Sequence, residues 1–435
     1  NKYYLQANAR YDGSSRFYKN SRWAFFPSFS AGWIISEEKF MKNIPFLSYL
    51  KLRGSWGQVG NERIGDYPYQ AAITHNDALF WQNGEIVSSK TGAQTVYAIQ
   101  DITWETTESY DIGVDMMFFN EKLKITADYY KKRTKNILLQ LDIPSYLGYA
   151  NPNQNAGEIS TKGWELEASW REQVGDFNYS VAFNISDAKT VIDDLKGTQQ
   201  KGNLAKIEGG EFDEWYGYRA KGIYQNQQQV DNLPKMNSSV QIGDICYEDI
   251  SGPDGVPDGI ISDYDKVLLG GSLPRYTYGG NISLGYKDLD ISLAFQGVGK
   301  MKSRLSNVQV QPFMESGIGN VPKIIDGKFW SRNNTAEQNI AARYPRLSTS
   351  GASNNYTMSD FWLINGSYFR LKNITVGYRI PVGKTLGRYI KNIRVYVSVN
   401  DLLSIDKYPK GWDPESSATG YPIVATFMGG FNLNF

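Results

Sequence analysis

Residues 288–297 read DLDISLAFQG, and this stretch decides the fold. It sets Leu289, Ile291, Leu293 and Phe295 on one side against Asp290, Ser292 and Gln296 on the other. Successive side chains of a strand point to opposite faces, so this spacing makes a two-faced strand, whereas a helix would scatter the same residues around its axis. The pattern recurs along the chain. YYLQANARYD (3–12) opposes Tyr3, Leu5, Ala7, Ala9 and Tyr11 to Gln6, Asn8, Arg10 and Asp12. SYDIGVDMMF (109–118) and FNYSVAFNIS (177–186) alternate in the same way, with Tyr110, Ile112 and Val114 in one apolar row and Phe177, Tyr179, Val181 and Phe183 in the other. The last residues, GGFNLNF (429–435), place Phe431, Leu433 and Phe435 opposite Asn432 and Asn434. Ends of soluble domains fray into water unless something ties them down. An apolar face turned to lipid accounts for a row that continues to the final residue.

About twelve such runs are present, each near the 9–11 residues that a tilted strand needs to cross a bilayer. The connections alternate in length. Short ones fall at 37–46, 119–122, 171–176, 287–288 and 381–391, and long ones at 13–23, 61–106, 134–158, 187–272, 299–362 and 401–420. Tight turns at one end and extended loops at the other characterise outer-membrane barrels. A soluble sandwich has no reason to keep its long loops at one end, and loops this long inside a compact domain would count against the strands. The expected fold is therefore all-β: an antiparallel transmembrane β-barrel sheet.

Composition agrees. The chain has 435 residues with 46 Lys+Arg against 45 Asp+Glu, a balance that argues against a nucleic-acid surface. Its 30 Tyr, 20 Phe and 11 Trp beside 41% hydrophobic residues suit strands rather than a Leu-rich helical core. The single cysteine, Cys246, excludes a disulfide within the chain. No apolar run is long enough for a membrane helix, which leaves membrane strands open.

Several stretches carry a family resemblance: RYDGSSRF with RWAFFPSFSAGW, LKLRGSWGQVGN, GYRAKGIYQNQQQV, LPRYTYGGNISLGYKDLDISLAFQGVGK, SYFRLKNITVGYRIP and IRVYVSVNDLLSI. In these the chain resembles the C-terminal barrel portion of the SusC/RagA-type TonB-dependent outer-membrane transporters of Bacteroidetes. Large barrels of this class have about 22 strands around a plugged lumen, so residues 1–435 correspond to the C-terminal part. The resemblance implies an N-terminal signal peptide, an extension domain, a TonB box and a plug, none of which is found in these residues. It also implies TonB-driven import of oligosaccharides or peptides, with a SusD-like surface lipoprotein capping the barrel and the TonB complex engaging the N-terminal region. Rival readings are a passive porin formed by this chain alone, an outer-membrane hydrolase and a soluble carbohydrate-binding β-protein.

DGVPDGIISDYD (254–265) has the spacing of a Ca²⁺ loop, with Asp254, Asp258, Ser262 and Asp265 at ligand positions around Gly259. Val256 occupies a position that should ligate, and Asp265 stands where a longer Glu is usual. A rigid acidic turn set by Pro253 and Pro257 is the competing reading. Aromatic residues gather in the long connections: Trp81, Trp215, Tyr216, Tyr218, Tyr224, Trp330, Trp362 and Trp412. Rings there can stack on sugars or peptide side chains, or simply pack the loops. DEWYGY (213–218) combines carboxylates with rings and supplies the substrate-binding candidates Asp213, Trp215, Tyr216 and Tyr218. Nothing in the sequence points to an enzyme: His75 has no partner base or nucleophile near it, and Glu165 and Glu167 fit a polar lumen.

One further expectation concerns SYFRLKNITVGYRIP. Phe369 and Leu371 occupy odd positions while Ile374, Val376, Tyr378 and Ile380 occupy even ones. A regular strand cannot turn both sets to lipid, so a β-bulge is expected between Leu371 and Ile374.

Overall fold

Strands dominate the chain, and their order is their order in sequence. The computed structural model describes residues 1–94, 98–140, 146, 148–149, 151–197, 199–313, 320–348, 352–382, 390–417 and 420–435. Twelve strands form one antiparallel sheet: β1 (Tyr3–Gly13), β2 (Trp23–Ile34), β3 (Leu47–Asn61), β4 (Glu105–Phe118), β5 (Leu123–Gln140), β6 (Asn153–Val174), β7 (Phe177–Asp194), β8 (Arg275–Tyr286), β9 (Leu289–Lys300), β10 (Tyr368–Ile380), β11 (Asn392–Ile405) and β12 (Thr426–Asn434). The order runs from β1 to β12, and among the described residues no ladder joins the two edge strands. The alternation of short and long connections is as expected, although β5, β6 and β7 continue further into the long-loop side than the sequence suggests. The turn between β6 and β7 is only residues 175–176.

The chain divides into two units. The first comprises Asn1–Glu167, Ala188–Gln200 and Ile207–Glu211; the second comprises Ala168–Asp187, Lys201–Lys206 and Phe212–Phe435.

In the second unit the cross-strand rows explain why these residues pair as they do. Val181, Ile282, Leu293, Ile374, Val399 and Phe427 stand opposite one another in turn. The next row over reads Ser180, Ser283, Ser292, Thr375 and Ser398. One face is thus uniformly apolar and the other hydroxylic, and a slip of one residue would exchange them. Tyr3, Leu5, Tyr110, Ile112, Phe177, Phe183, Leu289, Val395 and Val397 are exposed, and Val114, Tyr179, Ile291 and Leu293 half-exposed. None belongs to a buried cluster. Among the described residues, therefore, no protein core covers this apolar face, as a lipid-facing surface requires.

The expected bulge is at Lys372. Ala294 pairs with Asn373 and Phe295 with Leu371, so Lys372 has no partner on β9. On the β11 side Leu371 faces Leu403 and Asn373 faces Asn400, with Asp401 in the left-handed region at φ 51°. The extra residue keeps Phe369 and Leu371 in the apolar row of Ile374 and Val376 while Lys372 and Asn373 both join the polar face.

The core lies in the connections. In the first unit Phe17, Phe26, Ile102 and Trp104 are buried together at the long-loop end. In the second, parts of the connections between β7 and β8 and between β9 and β10 form a lobe whose buried centre is Tyr218, Ile245, Tyr247, Ile261, Leu305, Val310, Tyr356 and Trp362. A second cluster, Tyr224, Val230, Val240 and Cys246, lies within the connection between β7 and β8.

Candidate functional site

The polar face is built from charges that reach across strands. Arg53 of β3 pairs with Gly113 of β4, which pairs with Asp128 of β5. Because Gly113 has no side chain, the Arg53 guanidinium passes over it and donates to Asp128 at 2.7 Å, with Asp115 at 3.3 Å and Asp111 at 3.5 Å. The arrangement repeats in the second unit. Asp290 of β9 faces Gly377 of β10, and Arg394 of β11 lies across that glycine to donate to Asp290 at 2.8 Å. In the same unit Asn373 donates to Ser398 at 2.9 Å and to Asn400 at 2.7 Å, and Thr375 donates to Asn373 at 3.0 Å. These surfaces offer donors and acceptors to a hydrophilic chain, with Arg53 facing three carboxylates and Arg394 one.

The segment 406–417 is held to this polar face. Arg370 is 2% exposed and donates to Asp413 at 2.6 Å and to Glu415 at 3.1 Å. Lys372, the bulge residue, lies 2.7 Å from Asp401 and 3.4 Å from Glu415. Gln296 donates to Glu415 at 2.6 Å. Burial works to raise the Glu415 pKa, but hydrogen bonds from Gln296 and Tyr368 and the charges of Arg370 and Lys372 prevail and hold it below its ordinary value. The side-chain partners of Asp413 and Glu415 lie more than forty residues away in sequence, Arg370 from Asp413 by 43 residues, so no local pattern announces them.

Polar groups also order the lobe. The buried Asp244 accepts from Asn355 Nδ2 and the Gln241 amide, both at 2.8 Å, and lies 2.7 Å from Arg346. Asn355 in turn accepts from the Ile245 amide at 2.8 Å, and its carbonyl accepts from Trp362 Nε1 at 2.7 Å. The two long connections are therefore stitched by satisfied buried bonds as well as by apolar packing.

The candidates read from sequence separate here. Tyr216 and Tyr218 are buried, and Tyr218 belongs to the lobe core. Its hydroxyl donates to Asp263 at 3.3 Å, and burial, reinforced by the Asp263 charge, raises its pKa. Neither ring can be approached by a ligand without opening the lobe. Trp215 is half-exposed, and its indole donates to the Lys302 carbonyl at 2.7 Å. Asp213 sits 3.8 Å from Lys206 at a positive-φ turn. Tyr224, Trp330 and Trp362 are buried too, whereas Trp81 is exposed on the hairpin Ile73–Gln82 and Glu85–Gln94. Packing of the loops accounts for most of the aromatic cluster.

The acidic loop is closed by its own backbone. Asp265 is fully buried and accepts from the amides of Ile250 at 2.7 Å, Ser251 at 3.1 Å and Ser262 at 2.7 Å. Ser262 caps the short helical turn Asp263–Asp265. Asp258 accepts from the Ile260 amide at 3.0 Å, Asp249 takes the Gly259 amide at 2.7 Å, and Asp254 is exposed. Among the described residues no three His, Cys, Asp or Glu side chains are gathered to hold a metal ion. The donor set of Asp254, Asp258, Ser262 and Asp265 does not fit Ca²⁺, because the one buried carboxylate is spent on amides. His75 lies exposed on the hairpin.

Comparison with known proteins accords with this arrangement. The family model described as TonB dependent receptor-like, beta-barrel matches residues 1–402. TonB-dependent receptor P3 of Formosa agariphila is 30% identical over all of this chain and 44% of its own length. TonB-dependent receptor SusC of Bacteroides thetaiotaomicron is 30% identical over all of this chain and 42% of its own. The chain thus spans less than half the length of these curated relatives. Among solved structures, that of the RagAB peptide importer in its open-open state superposes with a TM-score of 0.78 at 23% identity, covering all of this chain and 45% of that one.

Proposed function

Because this chain belongs to the TonB-dependent receptor-like β-barrel family, we propose that the protein it comes from imports oligosaccharides or peptides across the outer membrane, energised by TonB and capped by a SusD-like lipoprotein. Members of the family are outer-membrane receptors and transporters rather than enzymes. The observation that carries the reading is the sheet itself, apolar on one face and lined on the other by hydroxyls, amides and ion pairs. Such a face suits passage of a hydrophilic substrate. A folded lobe at the long-loop end supplies the outer surface against which a lipoprotein could close. A fold shared with the RagAB peptide importer supports the peptide class, and the relative named SusC supports pairing with a SusD-like lipoprotein.

The test deletes the full-length gene and, separately, the gene of any SusD-like lipoprotein that co-purifies with its product. Growth on defined oligosaccharides or on peptides as sole source should require both genes and an intact TonB system. Growth that persists without TonB would overturn energised import. A passive porin is the second reading, and a steady open conductance of the purified full-length protein in planar bilayers would favour it.

A further inference from the structure

Within the first unit the apolar face ends abruptly, and the residues beyond its edge are cations. On β5 Ile125, Ala127 and Tyr129 share the outward face, and the next three positions on that face are Lys131, Arg133 and Lys135. Opposite them on β4 stand Tyr110, Glu108 and Thr106. A Cβ on Gly163 of β6 would meet the ring of Tyr130, which lies on the polar face. Alternation then puts Trp164 and Lys162 on the outward face. The edge is therefore marked by Tyr129 and Trp164, in the manner of an interfacial aromatic girdle, with Lys131 and Lys162 one step beyond it and Tyr110 opposite Lys131.

The acidic residues nearby, Glu108, Glu158 and Asp193, act on Arg133 and Lys135 rather than on Lys131 or Lys162. Glu108 Oε1 accepts from Trp56 Nε1 at 2.9 Å and from the Tyr110 hydroxyl at 2.8 Å. Glu158 receives Arg133. Among the described residues no carboxylate lies within ion-pair distance of Lys131, Lys135 or Lys162. Like charges on facing strands repel one another unless an anion stands between them. We propose that this outward face, around Lys131, Arg133 and Lys162, binds the phosphate of a lipid in the surrounding leaflet. The acyl chains lie against Ala127 and Tyr129, and the phosphate takes charge-assisted hydrogen bonds from the lysines. The level of the cations argues for a lipid: they begin where the apolar belt ends, which is where the headgroups of that leaflet begin.

Lys132 supplies the internal control, since it carries the same charge one residue away on the polar face, over the Tyr130 ring. Native mass spectrometry of the full-length receptor in detergent, with dioleoyl phosphatidic acid as the probe, should show retained lipid on the wild type. Lys131→Gln and Lys162→Gln should each reduce retention by about fivefold. Lys132→Gln should leave it unchanged, and Lys131→Arg should preserve it in a chain that folds. Dioleoylglycerol, which lacks the phosphate, should be retained weakly and equally by all variants, and millimolar inorganic phosphate should not displace the lipid. Equal loss in Lys132→Gln, or dioleoylglycerol retained as well as phosphatidic acid, would overturn the site. Displacement by inorganic phosphate would show an anion site without a lipid component and overturn it equally.

Discussion

Arg53 and Asp128 meet across a strand to which neither belongs. Nη1 of Arg53 lies 2.6 Å from Oδ1 of Asp128, with β4 between their two strands and Gly113 at the crossing. A methyl group on Gly113 would stand 2.6 Å from the guanidinium carbon. Gly113→Ala should therefore destabilise the folded receptor by about 1–3 kcal/mol through overpacking. Gly54→Ala, whose new carbon would be no closer than 3.7 Å to any atom, should be near neutral. Urea unfolding in detergent, followed by tryptophan fluorescence, measures both. Similar loss in the two variants would mean that the crossing has no special role.

Leu293 sits in the apolar row between Ile282 and Ile374, about halfway along the lipid-facing part of β9. Leu293→Arg should cost about 2–4 kcal/mol for a charge near the bilayer midplane. Ser292→Arg, one residue away on the hydroxylic face, should cost much less. Refolding yield into vesicles compares the two, and equal loss would contradict the assignment of faces.

Deleting Lys372 should be far worse than replacing it. The bulge lets Phe369 and Leu371 share a face with Ile374 and Val376, and removing one residue would turn one pair inward against Ser398 and Asn400. Deletion should abolish assembly, whereas Lys372→Gln should preserve the ladder and weaken only the contacts to Asp401 and Glu415. Heat-modifiable migration of the outer-membrane fraction tests this directly.

The strands, the bulge and the alternation of turns were legible because each depends on residues close in sequence. Period-two patterning needs only neighbours, and the clash of parity between Leu371 and Ile374 lies within four positions. The lobe was not legible. Tyr216 and Tyr218 looked like ligand contacts because three rings with carboxylates resemble a sugar platform, yet the burial of Tyr218 depends on Tyr356 and Trp362, more than a hundred residues away. The Ca²⁺ spacing is a related case. Asp265 occupies a ligand position, but amides from Ile250 and Ser251 reach it first.

That competition gives a measurable consequence. Chelation with EDTA should leave the thermal transition of the full-length receptor unchanged. Asp265→Ala should destabilise the lobe by about 1–3 kcal/mol, because buried amides lose their acceptor. Asp254→Ala, at an exposed position, should have little effect. A transition that falls on chelation and recovers with added Ca²⁺ would reinstate the metal reading.

The last prediction concerns Arg370 and the segment it holds. Its guanidinium is almost fully buried against Asp413 and Glu415, so Arg370→Met would leave two largely buried carboxylates without their cation. Breaking one side of such a cluster costs about 3–5 kcal/mol. Hydrogen exchange of residues 406–417 in the full-length receptor should therefore become markedly faster in Arg370→Met. The same segment should respond to acid. Glu415 has a folded-state pKa below its ordinary value, so its ionised form favours the docked segment. That contribution is complete above the unfolded-state pKa and disappears as pH falls through the lower folded-state value. Protection of 406–417 should decline across that acidic window in the wild type. In Glu415→Gln it should start lower at neutral pH and change less on acidification. Identical acid profiles in the wild type and Glu415→Gln would show that another group holds the segment.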